Sequence, residues 1–328
     1  MGFPKHLAAA ALLSLAAGAA AAAPSGTLTV YTSQPTDQMA AVVKAFTAAH
    51  PDVTVELFRS GTTEVMNKLQ AEFTAGDPRA DVVLIADAVA TTQLKNDGRL
   101  LAYPDAPTGA VPAALIDPDR TFFGTKLITT GIVYNTGLVT TPPVSWNDLK
   151  TADAARATIM PSPLYSGAAA IHVGTMVQQP AFGWSYYEEL AKGGAVAGKG
   201  NGSVIEAVAR GEKAYGIIIE YMALNARAKG SPVGFVVPQE GVSVITQPVA
   251  ILKTAKNVEA AKAFVAWQLS EAAQRQAVEQ GYYPVIPGMA APEGYPDLKS
   301  VRILEADPAV MLKSDEEMKK TFADLFGG

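Results

Sequence analysis

From Thr27 to Asp87 the chain switches repeatedly between two periodicities, and that switching restricts the fold more than any other feature. Thr27–Tyr31 alternates polar and apolar residues as a strand does. Met39, Val42, Val43 and Phe46 then recur at helical spacing until His50-Pro51-Asp52 stops the run. Val53–Leu57 reads as a second strand. Two strands joined through a helix are expected to lie parallel as neighbours. A second helix follows with the stripe Val65, Met66, Leu69 and Phe73, and Thr63 is its expected cap. Asp81–Ile85 is a third, buried strand that ends at Asp87. Open α/β sheets bind ligands at strand ends and at the helix starts after them. Three loops therefore face one crevice: Thr32–Thr36 with Ser33, Ser60–Thr63 with Thr62 and Thr63, and Ala86–Ala88 with Asp87. Each loop taken singly is also an ordinary polar turn.

The length, 328 residues, exceeds what one compact core organises, so two lobes are expected. A net charge of −5 without basic runs argues against nucleic acid as a partner. The absence of cysteine excludes disulfides, thiolate nucleophiles and Cys-based metal sites. His6, His50 and His172 are too few for a His-rich metal site, and no Ser stands in a Gly-x-Ser-x-Gly elbow. Neither an enzyme nor a cofactor is expected on these grounds. Met1–His6 carries Lys5, and Leu7–Ala23 is apolar and ends in small residues. Residues 1–23 thus read as a secretory signal peptide cleaved near Ala21–Ala23, the other reading being a membrane anchor.

Further along, Leu127–Tyr134 is strand-like, and Ser145 can cap a helix that starts at Trp146. Met160–Ala170 runs Met-Pro-Ser-Pro-Leu-Tyr-Ser-Gly-Ala-Ala-Ala. Its two prolines keep the first half out of a helix, and the small residues after Gly167 can open one. Such a start leaves backbone N–H groups pointing outward with the positive end of the helix dipole. Ser166 adds a hydroxyl, and Gly167 lets a ligand approach the backbone. Together these make an anion seat that needs no Lys or Arg; the stretch also reads as a helix start with an ordinary Ser cap. Gly200-Asn201-Gly202-Ser203 is a polar turn before a short helix, and Ala214–Ile219 is a buried strand ending at Glu220-Tyr221. Thr246–Leu252 looks like a return strand, followed by helices over Val258–Leu269 and Glu271–Gln280 and a rigid turn at Gly281–Val285.

With Val30–Ser33, Gly131–Asn135, Ser145–Leu149, Pro161–Ala168, Asn201–Gly211, Ala214–Tyr221 and Gly281–Val285 in view, the chain resembles a periplasmic solute-binding protein of an ABC importer. More narrowly it is similar to the ferric-ion-binding group and its relatives for phosphonates and sugar phosphates. The resemblance implies a type II α/β fold of two lobes, each a mainly parallel sheet flanked by helices, with a hinge of crossing strands. The implied first lobe is 26–125 plus about 240–328, and the second is 126–239. It also implies a periplasmic monomer that delivers to a permease in the inner membrane. Ferric binders of this group use adjacent tyrosines where this chain has Glu220-Tyr221, and often a His in the first loop, where this chain has Pro35. Those departures turn the expectation away from iron. The anion-holding residues remain. By resemblance Ser166, Gly167, Ala168, Asn201 and Tyr221 hold a phosphonate or phosphate, with Ser33, Thr62 or Thr63 across the cleft and Tyr165 as a wall. Glu220 or Asp87 would pair an ammonium, which makes 2-aminoethylphosphonate the expected ligand. Ferric ion, a hexose phosphate, a polyamine and thiamine are the other solutes weighed.

Overall fold

A computed structural model describes residues 23–327. The expected leader falls almost wholly outside the described residues. The chain opens with β1 (Gly26–Thr32), α1 (Thr36–Ala49), β2 (Val53–Arg59), α2 (Thr62–Ala75), β3 (Val82–Leu84), α3 (Ala88–Asn96) and β4 (Leu100–Leu101). The long β5 (Phe122–Asn135) then leads into α4 (Ala152–Arg156), β6 (Thr158–Pro161), α5 (Gly167–Val177), α6 (Gly183–Lys192), β7 (Val196–Gly198), α7 (Asn201–Ala209), β8 (Tyr215–Ile219), α8 (Glu220–Ala228) and β9 (Val233–Val236). Return strand β10 (Val244–Leu252), α9 (Val258–Gln268), α10 (Glu271–Glu279), β11 (Tyr283–Pro284) and α11 (Pro308–Phe326) complete it. No helix among the described residues is long and apolar enough to cross a membrane.

The strand order is β2-β1-β3-β10-β5-β8-β6-β7. The β1–β2 and β1–β3 pairs are parallel, as the helical crossovers demand. At the other end β7, β6 and β8 are parallel as well. Between the two parallel sets, β10 and β5 run antiparallel. Each half therefore has three parallel strands followed by an antiparallel one, beyond which β5 and β11 extend the first sheet and β9 extends the second. The change of sheet falls within β5: Thr129 still pairs with Val244 of β10, whereas Thr130 pairs with Ile219 of β8. A 14-residue strand rich in Thr, Ile and Val can serve both sheets because it stays extended throughout.

The cores follow from the same layout. Val30, Met39, Phe46, Leu84 and Phe264 fill the side of the first sheet covered by α1 and α9. Trp146, Met160, Met176, Tyr186 and Leu190 fill the second. Met318 and Phe322 of α11 pack into the second core, where α11 supplies the outer cover of the fully buried α5. Two local expectations also change. Helix α2 begins at Thr62 after Gly61, with no side-chain cap, so Thr63 sits in the first turn and its hydroxyl donates to Pro163 O at 3.4 Å. Ser145 does cap at Trp146, but only a 3-10 turn follows before Thr151 starts α4.

Candidate functional site

Five helices aim their N-termini at one cleft of about 660 Å³ between the two sheets. Thr36 and Asp37 open α1, Thr62 opens α2, Gly167 and Ala168 open α5, Asn201 and Gly202 open α7, and Tyr221 and Met222 lie in the first turn of α8. Four of these five lack a side-chain cap: the capping positions of α1, α2, α7 and α8 are Pro35, Gly61, Gly200 and Ile219. Elsewhere α3, α4, α9, α10 and α11 are capped by Asp87, Thr151, Asn257, Ser270 and Asp307, with α6 the exception. The first N–H groups of a helix need acceptors, and the dipole places positive charge there. Withholding caps at one cleft leaves those donors for something negative that enters it.

The side chains agree. Arg59, the last residue of β2, lines the cleft; its Nε donates to Gln34 O at 3.2 Å and its Nη1 to Tyr165 Oη at 3.4 Å. Lys199 lies 4.6 Å from the Tyr165 ring centroid and pairs with Glu64 at 3.2 Å. Asp37 and Glu206 are the carboxylates on the wall. Ser166 Oγ accepts from Ala169 N at 3.3 Å and from Asn201 Nδ2 at 3.1 Å. With both lone pairs engaged, the hydroxyl proton is free to donate into the cleft. On the floor Tyr221 and Tyr282 lie with ring centroids 4.5 Å apart. Burial pushes both phenols far above their usual range, so they stay protonated and donate hydrogen bonds.

The two sides meet across the mouth. Thr63 N donates to Tyr165 O at 3.4 Å. Gly61 abuts Tyr165, and a Cβ on Gly167 would lie 2.7 Å from Thr62 Oγ1 and 2.8 Å from Asp87 Cβ. Glycine is required at both points by close approach rather than by backbone angle.

A model of the family "bacterial extracellular solute-binding protein" matches residues 32–275. The chain belongs to that family. Among solved structures it is similar to the periplasmic binding protein AfuA of Actinobacillus pleuropneumoniae with fructose-6-phosphate bound. The TM-score there is 0.83, with 23% identity over 92% of this chain and 98% of that one. Iron-bound HitA of Pseudomonas aeruginosa gives a TM-score of 0.79, with 22% identity over 91% and 99%. At such identities the likeness shows the shared type II binding-protein fold. An uncharacterized protein of Haemophilus influenzae is 43% identical over 74 residues, which is 22% of this chain. The match spans about a fifth of that relative's length, 21%.

In this solute-binding protein the cleft brings together Ser33, Thr62, Tyr165, Ser166, Gly167, Ala168, Asn201 and Tyr221. Ser33 Oγ accepts from Ala86 N at 3.0 Å, so it also ties two of the crevice loops together. Asn201 is partly committed: besides its bond to Ser166, its Oδ1 accepts from Ile219 N at 3.4 Å. Three expected residues lie elsewhere. Thr63 faces a separate cavity beside α11. Asp87 caps α3 through Ala90 N at 2.9 Å and borders Asp315 and Lys319; burial raises its carboxyl to about 7. Glu220 is 1% exposed and lies behind the cleft wall. One of its oxygens accepts from Thr129 N at 2.5 Å, the other has no partner among the described residues, and burial raises it to about 8. A strand end fixes where the backbone stops, but the next residue's side chain can turn either way, and Glu220 turns into the hinge. Arg59, Lys199 and Tyr282 escaped the sequence reading. Arg59 was legible in principle, because it ends a parallel strand that extends two residues beyond Leu57. Tyr282 reaches the floor from the far end of the chain, and no local pattern signals that.

Proposed function

We propose that the protein is the extracytoplasmic binding component of an ABC importer and that its solute is a small organic phosphate or phosphonate. The observation that carries this is the convergence of helix N-termini, four of them uncapped, with the Ser166 hydroxyl and the Arg59 guanidinium on one cleft. A tetrahedral dianion has enough acceptor oxygens to engage several such N–H groups at once. The first lobe is 26–125 with about 240–300, and the second is 126–239 with α11. Strand β5 and the segment entering β10 form the hinge, and closure reports occupancy to a membrane permease from the periplasm.

2-Aminoethylphosphonate is the narrowest candidate, with one change. Its ammonium would face Asp37 or Glu206, the carboxylates on the cleft wall, and not Glu220 or Asp87. The cleft volume of about 660 Å³ favours a second reading, a larger ester such as a hexose monophosphate. Iron fits less well, because the position beside Tyr221 where ferric binders carry a second tyrosine holds Glu220, which is buried behind the cleft wall with one oxygen on Thr129 N. The test is a thermal-shift screen of ligand-stripped protein against 2-aminoethylphosphonate, fructose 6-phosphate, spermidine, thiamine and ferric citrate. Stabilisation by at least one phosphorus-bearing anion, and by none of the cations, is the expected result. Stabilisation by spermidine or thiamine alone contradicts the reading.

A further inference from the structure

Lys126 lies on β5 directly behind the cleft floor and is 2% exposed. Its ammonium donates to Gln34 Oε1 at 3.0 Å and lies 4.7 Å from the centroid of the Tyr282 ring. Among the described residues it forms no ion pair, so desolvation alone governs it and lowers it to about 7. A buried Lys without a carboxylate is unusual, because burying an unpaired charge is costly. Its two contacts both lead to the cleft. Tyr282 is part of the floor, and Gln34, fully buried, accepts from the cleft-lining Arg59 through its backbone oxygen.

We propose that Lys126 is a hidden counter-charge for the cleft: it takes up a proton when an anion occupies the site, so capture strengthens as pH falls toward neutrality. The inference rests on the anion reading above and deepens it. With the cleft empty, only the Gln34 side-chain oxygen and the Tyr282 ring favour the protonated amine, and neither is a full opposite charge. An anion in the cleft that Tyr282 lines supplies the missing opposite charge across buried side chains, where the attraction is weakly screened. The titratable groups facing this spot are Asp37 from α1, Arg59 from β2, Tyr221 and Glu220 from α8, and Tyr282 and Tyr283 after α10. Tyr221, Tyr282 and Tyr283 do not change charge near neutral pH, because burial raises all three. Glu220 does titrate nearby, so the readout has to resolve Lys126 by itself.

The experiment uses the whole mature protein with lysine labelled at Cε, and follows the Lys126 resonance against pH by NMR. The resonance is assigned by its loss in Lys126→Arg. The probe is sulfate, a tetrahedral dianion that does not itself titrate in this range. The free protein should titrate Lys126 near 7. Saturating sulfate should raise that midpoint by about one unit, which corresponds to a roughly tenfold preference of the anion for the protonated form. Sulfate affinity should accordingly fall as pH rises past the free midpoint in wild type, while in Lys126→Met it is weaker and loses that component of its pH dependence. Sulfate binding with the Lys126 midpoint unmoved overturns the inference. No sulfate binding at all overturns it together with the anion reading. If sulfate shifts Lys126 but neither organophosphorus solute binds, the choice of solute has failed and the inference stands.

Discussion

Gly167→Ala separates closure from folding. The first residue of α5 has ordinary helical backbone, and a Cβ there would lie 2.7 Å from Thr62 Oγ1, 2.8 Å from Asp87 Cβ and 2.9 Å from Ala86 O. All three belong to the first lobe, so the clash exists only when the lobes are together. Two of the three cannot step aside. Asp87 is fixed as the cap of α3, and Ala86 is held on both sides, by its own N–H bond to Ser33 and by the capping Asp87 that follows it. Overpacking of this kind costs about 1–3 kcal/mol. Charged to the closed state alone, that is about 5- to 150-fold in affinity for any solute held between the lobes. The open protein gains instead, because Ala in a helical position loses less chain entropy than Gly, about 0.4–1 kcal/mol. The variant should therefore bind more weakly while the ligand-free protein melts at the same temperature or slightly higher. Small-angle X-ray scattering with and without the screened solute reads closure directly, and calorimetric titration reads affinity. A variant that binds and compacts like wild type would refute the argument, and a variant with a lowered melting temperature would show that Gly167 serves folding instead.

Further outcomes follow from single groups. Glu220→Gln should stabilise the protein in a pH-dependent way. The native carboxyl is raised to about 8, so the native state holds a proton that the unfolded chain has released. Stability from this group falls as pH rises from the ordinary carboxyl range to about 8; the variant should match wild type in acid and melt higher above that point. Asn201→Ala removes the donor that orients the Ser166 hydroxyl toward the cleft, which should weaken anion binding by about 1 kcal/mol, roughly fivefold, in a titration. Phe322→Ala empties a fully buried site where α11 meets the second core, and urea denaturation should show a loss of about 3–5 kcal/mol.

The sequence conveyed the parts of this molecule that local physics sets. The alternation from Thr27 to Asp87 implied parallel β1 and β2, and they pair in register from Gly26 opposite Val53. Pro161, Pro163 and Gly167 implied a turn into a helix start at Ser166, and Ser166 caps α5 there. What depended on distant partners was not legible. Asp87 and Glu220 follow strands as a ligand residue would, yet one caps a helix and the other grips the hinge at Thr129. The alternating charges of α11 mark one face as solvated, but no local pattern shows that Met318 and Phe322 on its other side close the second core. Lys126 sits within an apolar strand pattern, and only the fold reveals that it is buried without a carboxylate.

The central claim is that this cleft is built to hold an organophosphorus anion on helix N-termini. Calorimetric titration of ligand-stripped protein at neutral pH with 2-aminoethylphosphonate and with fructose 6-phosphate, run beside ferric citrate, tests it most directly. Saturable one-to-one binding of at least one phosphorus compound, with no tyrosinate charge-transfer colour on adding iron, is the expected result. Iron binding with that colour, and no heat from either phosphorus compound, would contradict it.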